Sequence, residues 1–166
     1  MADVKSTANP AFLREEELRQ AIELLYYAYR DFTAEPDAML ARYSFGRAHH
    51  RVIYFVGRHP QMSVSDLLAI LRITKQSLSR VLSQLVRQGF IRQSPGNRDR
   101  RRRLLELTDK GVELERQLSE NQRQRIARAY RDAGAQAVDG FRKVMFGVMS
   151  SEEDRKRIGR RSEVPR

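Results

Sequence analysis

The stretch from Ser94 to Thr108 constrains the fold of this chain most strongly; it reads SPGNRDRRRRLLELT. Pro95-Gly96-Asn97 favours a turn, five arginines then surround a single acid, Asp99, and the last residues are apolar with strand character. Arginines this closely spaced repel one another and need water or an anion around them. A solvated charge run would meet that need, and so would a basic hairpin tip placed against a phosphate backbone or in a minor groove.

The residues before this stretch predict two short helices, which favours the hairpin interpretation. Ser65 is the expected N-cap of the first helix, and Thr74 that of the second. The second helix carries an apolar stripe at helical spacing and is expected to end near Gly89: Leu78, Val81, Leu82, Leu85 and Val86. Strands over 91–94 and 103–107 then close on the arginine tip. The pattern predicts a helix-turn-helix followed by a β-hairpin wing.

Helices are also predicted on both sides of this unit. The first carries an apolar stripe and should break near Pro36, with a second helix over about 37–58; the stripe contains Leu18, Ile22, Leu25, Tyr29 and Phe32. A long helix follows Thr108, interrupted at Ala133-Gly134-Ala135, and a further helix ends near 150. We expect residues 1–10 to be disordered and residues 151–166 to form a charged, flexible tail.

The fold class is therefore mainly α with a small β-hairpin wing. The winged helix-turn-helix spans about 45–110, and the flanking helices span about 11–36 and 109–150. A winged unit of this size does not need so many helices as a cover, so their apolar faces are expected to pack against a second copy. A symmetric homodimer would present two helix-turn-helix units to one face of DNA.

The composition agrees with a polyanionic partner. The 166 residues carry a formal net charge of +11 and contain no cysteine. Thiol-based sensing, disulfides and thiolate metal sites are thus excluded. Three histidines without i, i+4 pairing make a poor zinc set, so no metal and no cofactor are expected. The chain has no apolar run long enough to span a membrane and no signal-peptide core at its start, which predicts a soluble, cytoplasmic protein.

The second helix of the unit is the expected DNA-reading element. Gln76 and Arg80 lie four residues apart on the face opposite the apolar stripe, and can pair with adenine and guanine edges in the major groove. Thr74, Lys75, Ser77 and Ser79 suit phosphates. In the wing, Asp99 is expected to orient the guanidinium of Arg101 for the minor groove. Backbone contacts are assigned to Arg98, Arg100, Arg102 and Arg103.

Two sequence segments carry a family resemblance: TKQSLSRVLSQLVRQGFI and DRRRRLLELTDKG. They resemble the recognition helix and wing of the MarR family of regulators, and the likeness extends over about 18–149. The segment FGRAHHRVIYFVGRHP resembles a PetP-like branch of that family. The resemblance implies a MarR-type domain over 11–150 in a homodimeric repressor or activator on pseudo-palindromic DNA. It also implies that Arg101 is the minor-groove arginine and Asp99 its partner.

Members of the MarR family commonly bind small phenolic or anionic ligands between the dimer helices and the winged unit. In this sequence the matching region offers a candidate set: Tyr26, Tyr43, Arg47, His49, His50, Arg51 and Tyr54. Arginine and histidine could hold a carboxylate while tyrosines line a slot for an aromatic ring. Ordinary packing is the alternative, because adjacent His49 and His50 point in different directions on a helix.

Two other classes of function are alternatives for this sequence. A nucleoid or architectural protein could use the same charge without reading sequence, and would not need Gln76 or Arg80. An enzyme is disfavoured, because no paired carboxylates, nucleophile-base set or phosphate-binding glycine loop occurs at a credible spacing. The sequence thus predicts a DNA-binding transcriptional regulator modulated by a small molecule.

Overall fold

The computed structural model describes residues 10–162, which form seven α-helices and a small sheet after a short 3-10 turn at Ala11–Leu13. The helices are α1 (Glu15–Ala41), α2 (Arg47–Arg58), α3 (Val64–Leu71), α4 (Lys75–Arg87), α5 (Asp109–Ala133), α6 (Ala135–Val148) and α7 (Glu152–Ser162). The strands are β1 (Met62–Ser63), β2 (Ile91–Pro95) and β3 (Arg103–Leu107), antiparallel in the order β1-β3-β2. The predicted fold class is confirmed.

The helix-turn-helix and its wing contain most of the buried core. Apolar side chains of α2, α3, α4 and the sheet meet there, among them Ile53, Leu67, Leu78, Leu85, Phe90 and Leu105. Thr74 caps α4 by accepting a hydrogen bond from the Ser77 amide, and Gly89 follows α4 with a φ of 79°. The predicted N-cap and C′ positions of the recognition helix are therefore confirmed.

The cap of α3 lies two residues earlier than predicted. Ser63 Oγ, not Ser65, accepts from the Asp66 amide at 3.1 Å, and Asp66 Oδ2 accepts from the Ser63 amide at 3.0 Å. This reciprocal pair is a capping box. Ser63 also belongs to the two-residue strand β1, which pairs with Leu104 of β3. A strand this short has no periodicity of its own, so the sequence pattern could not predict it.

Pro36 does not end the first helix, contrary to expectation. The α1 helix continues to Ala41, and the second helix begins only at Arg47. A proline inside a helix leaves the carbonyl four residues earlier without its amide partner. The side chain of Gln122 on α5 supplies that partner, with Nε2 donating to the Phe32 carbonyl at 3.3 Å. A tertiary contact thus compensates for the missing amide.

The charged tail also differs from expectation, because Glu152–Ser162 forms α7. Its first turn carries three acids, which the positive end of a helix favours. The Arg155 side chain donates to the carbonyl of Phe146 at 3.0 Å and to that of Met149, which fastens α7 to the end of α6. Residues 1–9, where disorder was predicted, lie outside the described residues, as do residues 163–166.

The apolar stripe of α1 lies at the surface of the single chain. Leu18 is 49% exposed, Ile22 68% and Leu25 47%. On α6, Phe141, Val144 and Val148 are exposed as well. Gly134, with a φ of 85°, separates α5 from α6 at the predicted interruption. The flanking helices therefore present an uncovered apolar face, as expected for a surface that packs against another chain.

Candidate nucleic-acid interface and ligand cavity

The recognition helix α4 separates buried and exposed residues cleanly. Leu78, Val81, Leu82 and Leu85 are buried. The predicted base-reading residues Gln76 and Arg80 are exposed, as are Lys75 and Ser79, which were predicted to contact phosphates. Thr74 and Ser77 are exposed too, but they bond to each other, with the two hydroxyl oxygens 2.9 Å apart. The pair forms the start of the helix, while Gln76 and Arg80 remain one turn apart for contacts outside the protein.

The wing is a tight hairpin between β2 and β3. The Gly96 amide donates to the Arg102 carbonyl at 2.8 Å, and the Arg102 amide donates to the Asp99 carbonyl at 3.1 Å. A Cβ on Gly96 would lie 2.7 Å from that Asp99 oxygen, so the turn requires a glycine there. The tip exposes the side chains of Arg98, Arg100, Arg101 and Arg103.

Asp99 acts on the backbone of the tip. Its Oδ1 accepts a hydrogen bond from the Arg101 backbone amide at 2.9 Å. The expectation was that Asp99 would orient the Arg101 guanidinium; the contact that the structure contains is an Asx-type turn instead. Asp99 therefore shapes the loop from which the Arg101 side chain extends.

Arg102 differs from the other arginines of the wing. Its Nη2 donates to Ser63 Oγ at 3.2 Å and lies 3.7 Å from Asp66 Oδ2. Ser63 is only 2% exposed. The hydrogen bonds from Ser63, with a further contribution from Arg102, hold the pKa of Asp66 below its ordinary value. The side chain predicted to bind a phosphate thus binds the capping box of α3.

A groove of about 490 Å³ lies between α3, α4 and the wing. Lys75 and Ser79 line it, as the predicted phosphate contacts would. Six further residues of the groove were not in the predicted interface: Val64, Ser65, Leu68, Leu82, Ser83 and Gln93. Gln93 lies on β2 opposite Leu105, and its position follows from strand register rather than from any motif. Side chains of α3, α4 and β2 therefore line one groove, with Lys75, Ser79 and Ser83 of α4 along it.

A larger cavity, of about 670 Å³, lies between α1, α2 and α5. Of the predicted effector residues, His50, Arg51 and Tyr54 line it. Arg51 Nη2 donates to Tyr29 Oη at 3.1 Å. Burial lowers the pKa of His50, and nearby Asp37 and Glu115 only partly offset that effect. An apolar cavity with an arginine and a neutral histidine at its wall suits an aromatic anion.

The resemblance indicated a site between the dimer helices and the winged unit, and Tyr29 of α1 does line this cavity. The other α1 and α5 residues of the wall were not predicted: Phe32, Thr33, Ser119, Gln122, Arg123, Ile126, Ala127 and Tyr130. Histidine, arginine and tyrosine cluster on α2, so the sequence pattern indicated that segment. The α5 residues are distant in sequence, and the packing of α1 and α2 on α5 brings them close.

Four of the predicted effector residues lie outside this cavity. Tyr26 and Arg47 line a neighbouring groove of about 550 Å³, where Arg47 Nε bonds Asp37 Oδ2 at 3.1 Å. Tyr43 packs against Phe90, with ring centroids 5.2 Å apart. Tyr43 therefore serves the core of the winged unit, and the prediction that it contacts a ligand finds no support in the geometry.

His49, like Tyr43, makes contacts within the protein and does not line the cavity. Its ring stacks on Phe45 with centroids 4.5 Å apart, and its Nδ1 accepts from the Gly46 amide at 3.1 Å. Because Nδ1 accepts, Nε2 carries the proton and donates to Gln84 Oε1 on α4. His49 thus joins the start of α2 to the recognition helix, while its neighbour His50 faces the cavity.

Comparison with known proteins shows which family has this architecture. The chain is 51% identical over 138 residues to the HTH-type transcriptional regulator PetP of Rhodobacter capsulatus, covering 83% of each protein. The sequence model of the MarR family matches residues 43–102. The chain belongs to the MarR family. The predicted resemblance, including its PetP-like branch, is confirmed.

Solved structures show the same MarR fold. Streptococcus pneumoniae FabT in complex with DNA superposes with a TM-score of 0.69 at 19% identity, covering 79% of this chain and 94% of that one. A mutant MarR from E. coli complexed with operator DNA superposes with a TM-score of 0.60 at 18% identity, covering 84% of this chain and 99% of that one.

Within residues 10–162, no helix is both long and apolar enough to cross a membrane. The same residues contain no group of three or more metal-ligating side chains.

Proposed function

We propose that this protein is a transcriptional regulator that binds double-stranded DNA sequence-specifically, as a homodimer on a pseudo-palindromic operator. One observation carries the proposal: the recognition helix α4, which exposes Gln76 and Arg80, lines one groove with strand β2 of the wing, whose tip exposes its arginines. Side chains that discriminate base edges and side chains that hold the backbone are thus combined on one surface. The relatives support this, since one is an HTH-type transcriptional regulator and two neighbours were solved with DNA.

The homodimer follows from the uncovered apolar residues of α1 and α6. Large side chains such as Ile22 and Val144 are mostly exposed in the single chain, and pairing with a second copy would bury them. A two-fold axis through these helices would place two α4 helices on one side of the dimer, matching two half-sites about one helical turn apart. The protein would work in the cytoplasm, where its DNA is.

A small aromatic anion is the effector class that fits the cavity between α1, α2 and α5. Arg51 offers a guanidinium already hydrogen-bonded to the Tyr29 hydroxyl, and Tyr54 and Phe55 supply ring surface. The α2 helix that lines this cavity also contacts α4 through His49 and Gln84. Ligand binding could therefore shift the recognition helix through α2, provided that the ligand prefers one of two arrangements.

Selection of bound sequences from a random DNA pool tests the function directly. We expect a palindromic motif with half-sites about one turn apart. Gln76→Ala and Arg80→Ala should each relax the preference at particular bases by about 1–3 kcal/mol while leaving general affinity largely intact. Equal binding of all sequences, with a strong salt dependence, would instead identify an architectural DNA-binding protein.

A further inference from the structure

We propose that Arg102 is a positioning residue that fixes the wing against the amino-terminal end of α3. In this role Arg102 sets the placement of the arginine tip relative to the recognition helix, and does not itself contact DNA. The consequence for DNA binding rests on the proposed function; the contact itself does not.

The backbone of Arg102 closes the wing. Its amide and carbonyl bond to Asp99 and Gly96 across the hairpin turn, and β3 begins at the next residue. Its side chain then spans 39 positions of sequence to reach Ser63. Arg102 thus joins the tip of the hairpin, through its backbone, to the start of α3, through its side chain.

The site that binds the Arg102 guanidinium is built from reciprocal hydrogen bonds between Ser63 and Asp66. Ser63 Oγ accepts from the Asp66 amide at 3.1 Å and from Arg102 Nη2 at 3.2 Å, which uses both of its lone pairs. Asp66 Oδ2 accepts from the Ser63 amide and lies 3.7 Å from Arg102. Arg157 of α7 is a second cation whose charge acts on Asp66. Such a site fixes the direction of a guanidinium better than a lone carboxylate would.

Such a contact matters most for the tip of the wing. The strands are held by the buried side chains of Ile91 and Leu105, and β1 pairs with β3 through only two residues, whereas residues 97–101 of the tip are exposed. A short two-stranded ribbon is weakly ordered by itself. The side chains of Arg102 and Asp66 are both 57% exposed, so their ion pair adds little to global stability. Its effect should therefore be on the orientation of the wing.

Two arginine variants separate positioning from phosphate binding. On an operator recovered by selection, Arg101→Ala should reduce the slope of log affinity against log salt by about 1, because a DNA contact is lost. Arg102→Ala should weaken binding roughly three- to tenfold with the slope unchanged. If Arg102→Ala lowers the slope as Arg101→Ala does, and leaves the wing as protected as before, Arg102 is a phosphate ligand and the proposal is wrong.

Hydrogen exchange on the free protein tests the contact without DNA. Arg102→Ala and Asp66→Asn should each speed exchange of wing amides, and the double variant should be no faster than the faster single variant. Exchange rates that combine additively would contradict a shared contact. This measurement needs no DNA, so it can be made even if no operator is found. Failure of the proposed function can therefore be distinguished from failure of the positioning role.

Discussion

His49 and His50 are neighbours in sequence but serve different surfaces of α2. The ring of His49 stacks on Phe45 and its Nε2 bonds Gln84 of α4, whereas His50 lines the cavity between α1 and α5. Helical geometry turns adjacent side chains about 100° apart, so they could not both face one ligand. The sequence predicted that the pair would diverge, but which histidine faces the cavity depends on where α4 packs.

The cavity histidine is expected to make the binding of an anionic ligand dependent on pH. Burial keeps the pKa of His50 below its ordinary 6.5 in the free protein. An anion bound beside it favours the charged ring and raises that pKa, so binding takes up a proton. Benzoate is therefore expected to stabilise the protein against heat, and to bind more tightly as the pH falls from about 8 to 6. Calorimetry in buffers of different ionisation enthalpy measures the proton uptake.

Two variants serve as controls for this measurement. His50→Gln should bind benzoate with little dependence on pH over the same range, and Arg51→Ala should bind it poorly at every pH. Benzoate affinity that is independent of pH in the unmodified protein would show that His50 does not face the ligand.

Among residues of the interface, exposure was easier to predict than contact. The spacing of Gln76 and Arg80 opposite an apolar stripe correctly predicts that both are exposed. The roles of Asp99 and Arg102 were not predictable in the same way. Asp99 bonds a backbone amide two residues away, and Arg102 bonds Ser63, which belongs to a strand of only two residues. Such contacts depend on tertiary distances that local patterns do not contain.

At the scale of elements, the caps at both ends of the recognition helix were predictable, whereas the start of α2 after Gly46 was not. Thr74, Thr108 and Gly89 all lie at the positions that their chemistry favours. Ser63 and Ser65 are both suitable N-caps, and the choice between them is made by β1, which holds Ser63 in an extended conformation. Helix ends that depend on a neighbouring strand are therefore harder to predict than isolated ones.

Gly111, in the first turn of α5, allows that helix to approach the recognition unit. A Cβ at this position would lie 2.1 Å from the Phe90 carbonyl oxygen, which is backbone and cannot easily move. Gly111→Ala is expected to lower the free energy of unfolding by about 1–3 kcal/mol, as overpacking does. Chemical denaturation followed by circular dichroism measures this change.

A matched helical glycine provides the comparison. Gly159, in α7, has nothing within 4 Å of a built Cβ, so Gly159→Ala should leave the unfolding free energy unchanged or raise it slightly. Equal effects of the two substitutions would mean that helix propensity, rather than the contact with Phe90, decides the outcome at position 111.

At the scale of the whole molecule, the winged unit is complete in one chain and the flanking helices are not. The core residues of the unit, such as Phe90 and Leu105, are fully buried, but the stripe of α1 faces outward. The sequence predicted this division, because the flanking helices carry more large apolar residues than a small winged domain can cover. It did not predict which α5 residues would line the cavity, since that depends on the relative height of α1 and α5.

A charge placed in the α1 stripe tests the dimer. Ile22→Glu is expected to shift the protein from dimer to monomer at micromolar concentration, because Ile22 is 68% exposed in the single chain and would be buried by pairing. Sedimentation velocity measures the change. The helical circular dichroism of the winged unit should be retained, and operator affinity should fall sharply as the second half-site contact is lost.

Gln20→Glu adds the same charge to the same region of α1 on its polar face. It is expected to leave the dimer intact. An unmodified protein that sediments as a stable monomer would overturn the proposed assembly.

The hydrogen bond from Gln122 to the Phe32 carbonyl has a consequence for how the long helices align. Because Pro36 removes the amide that would otherwise satisfy that carbonyl, the oxygen must find a partner on another helix. Sliding α1 by one turn along α5 would carry the oxygen away from Gln122. The contact that the proline makes necessary, together with the hydrogen bond from Asn121 of α5 to Glu35 of α1, sets the register of the two helices. The height at which the two walls of the cavity meet follows from that register.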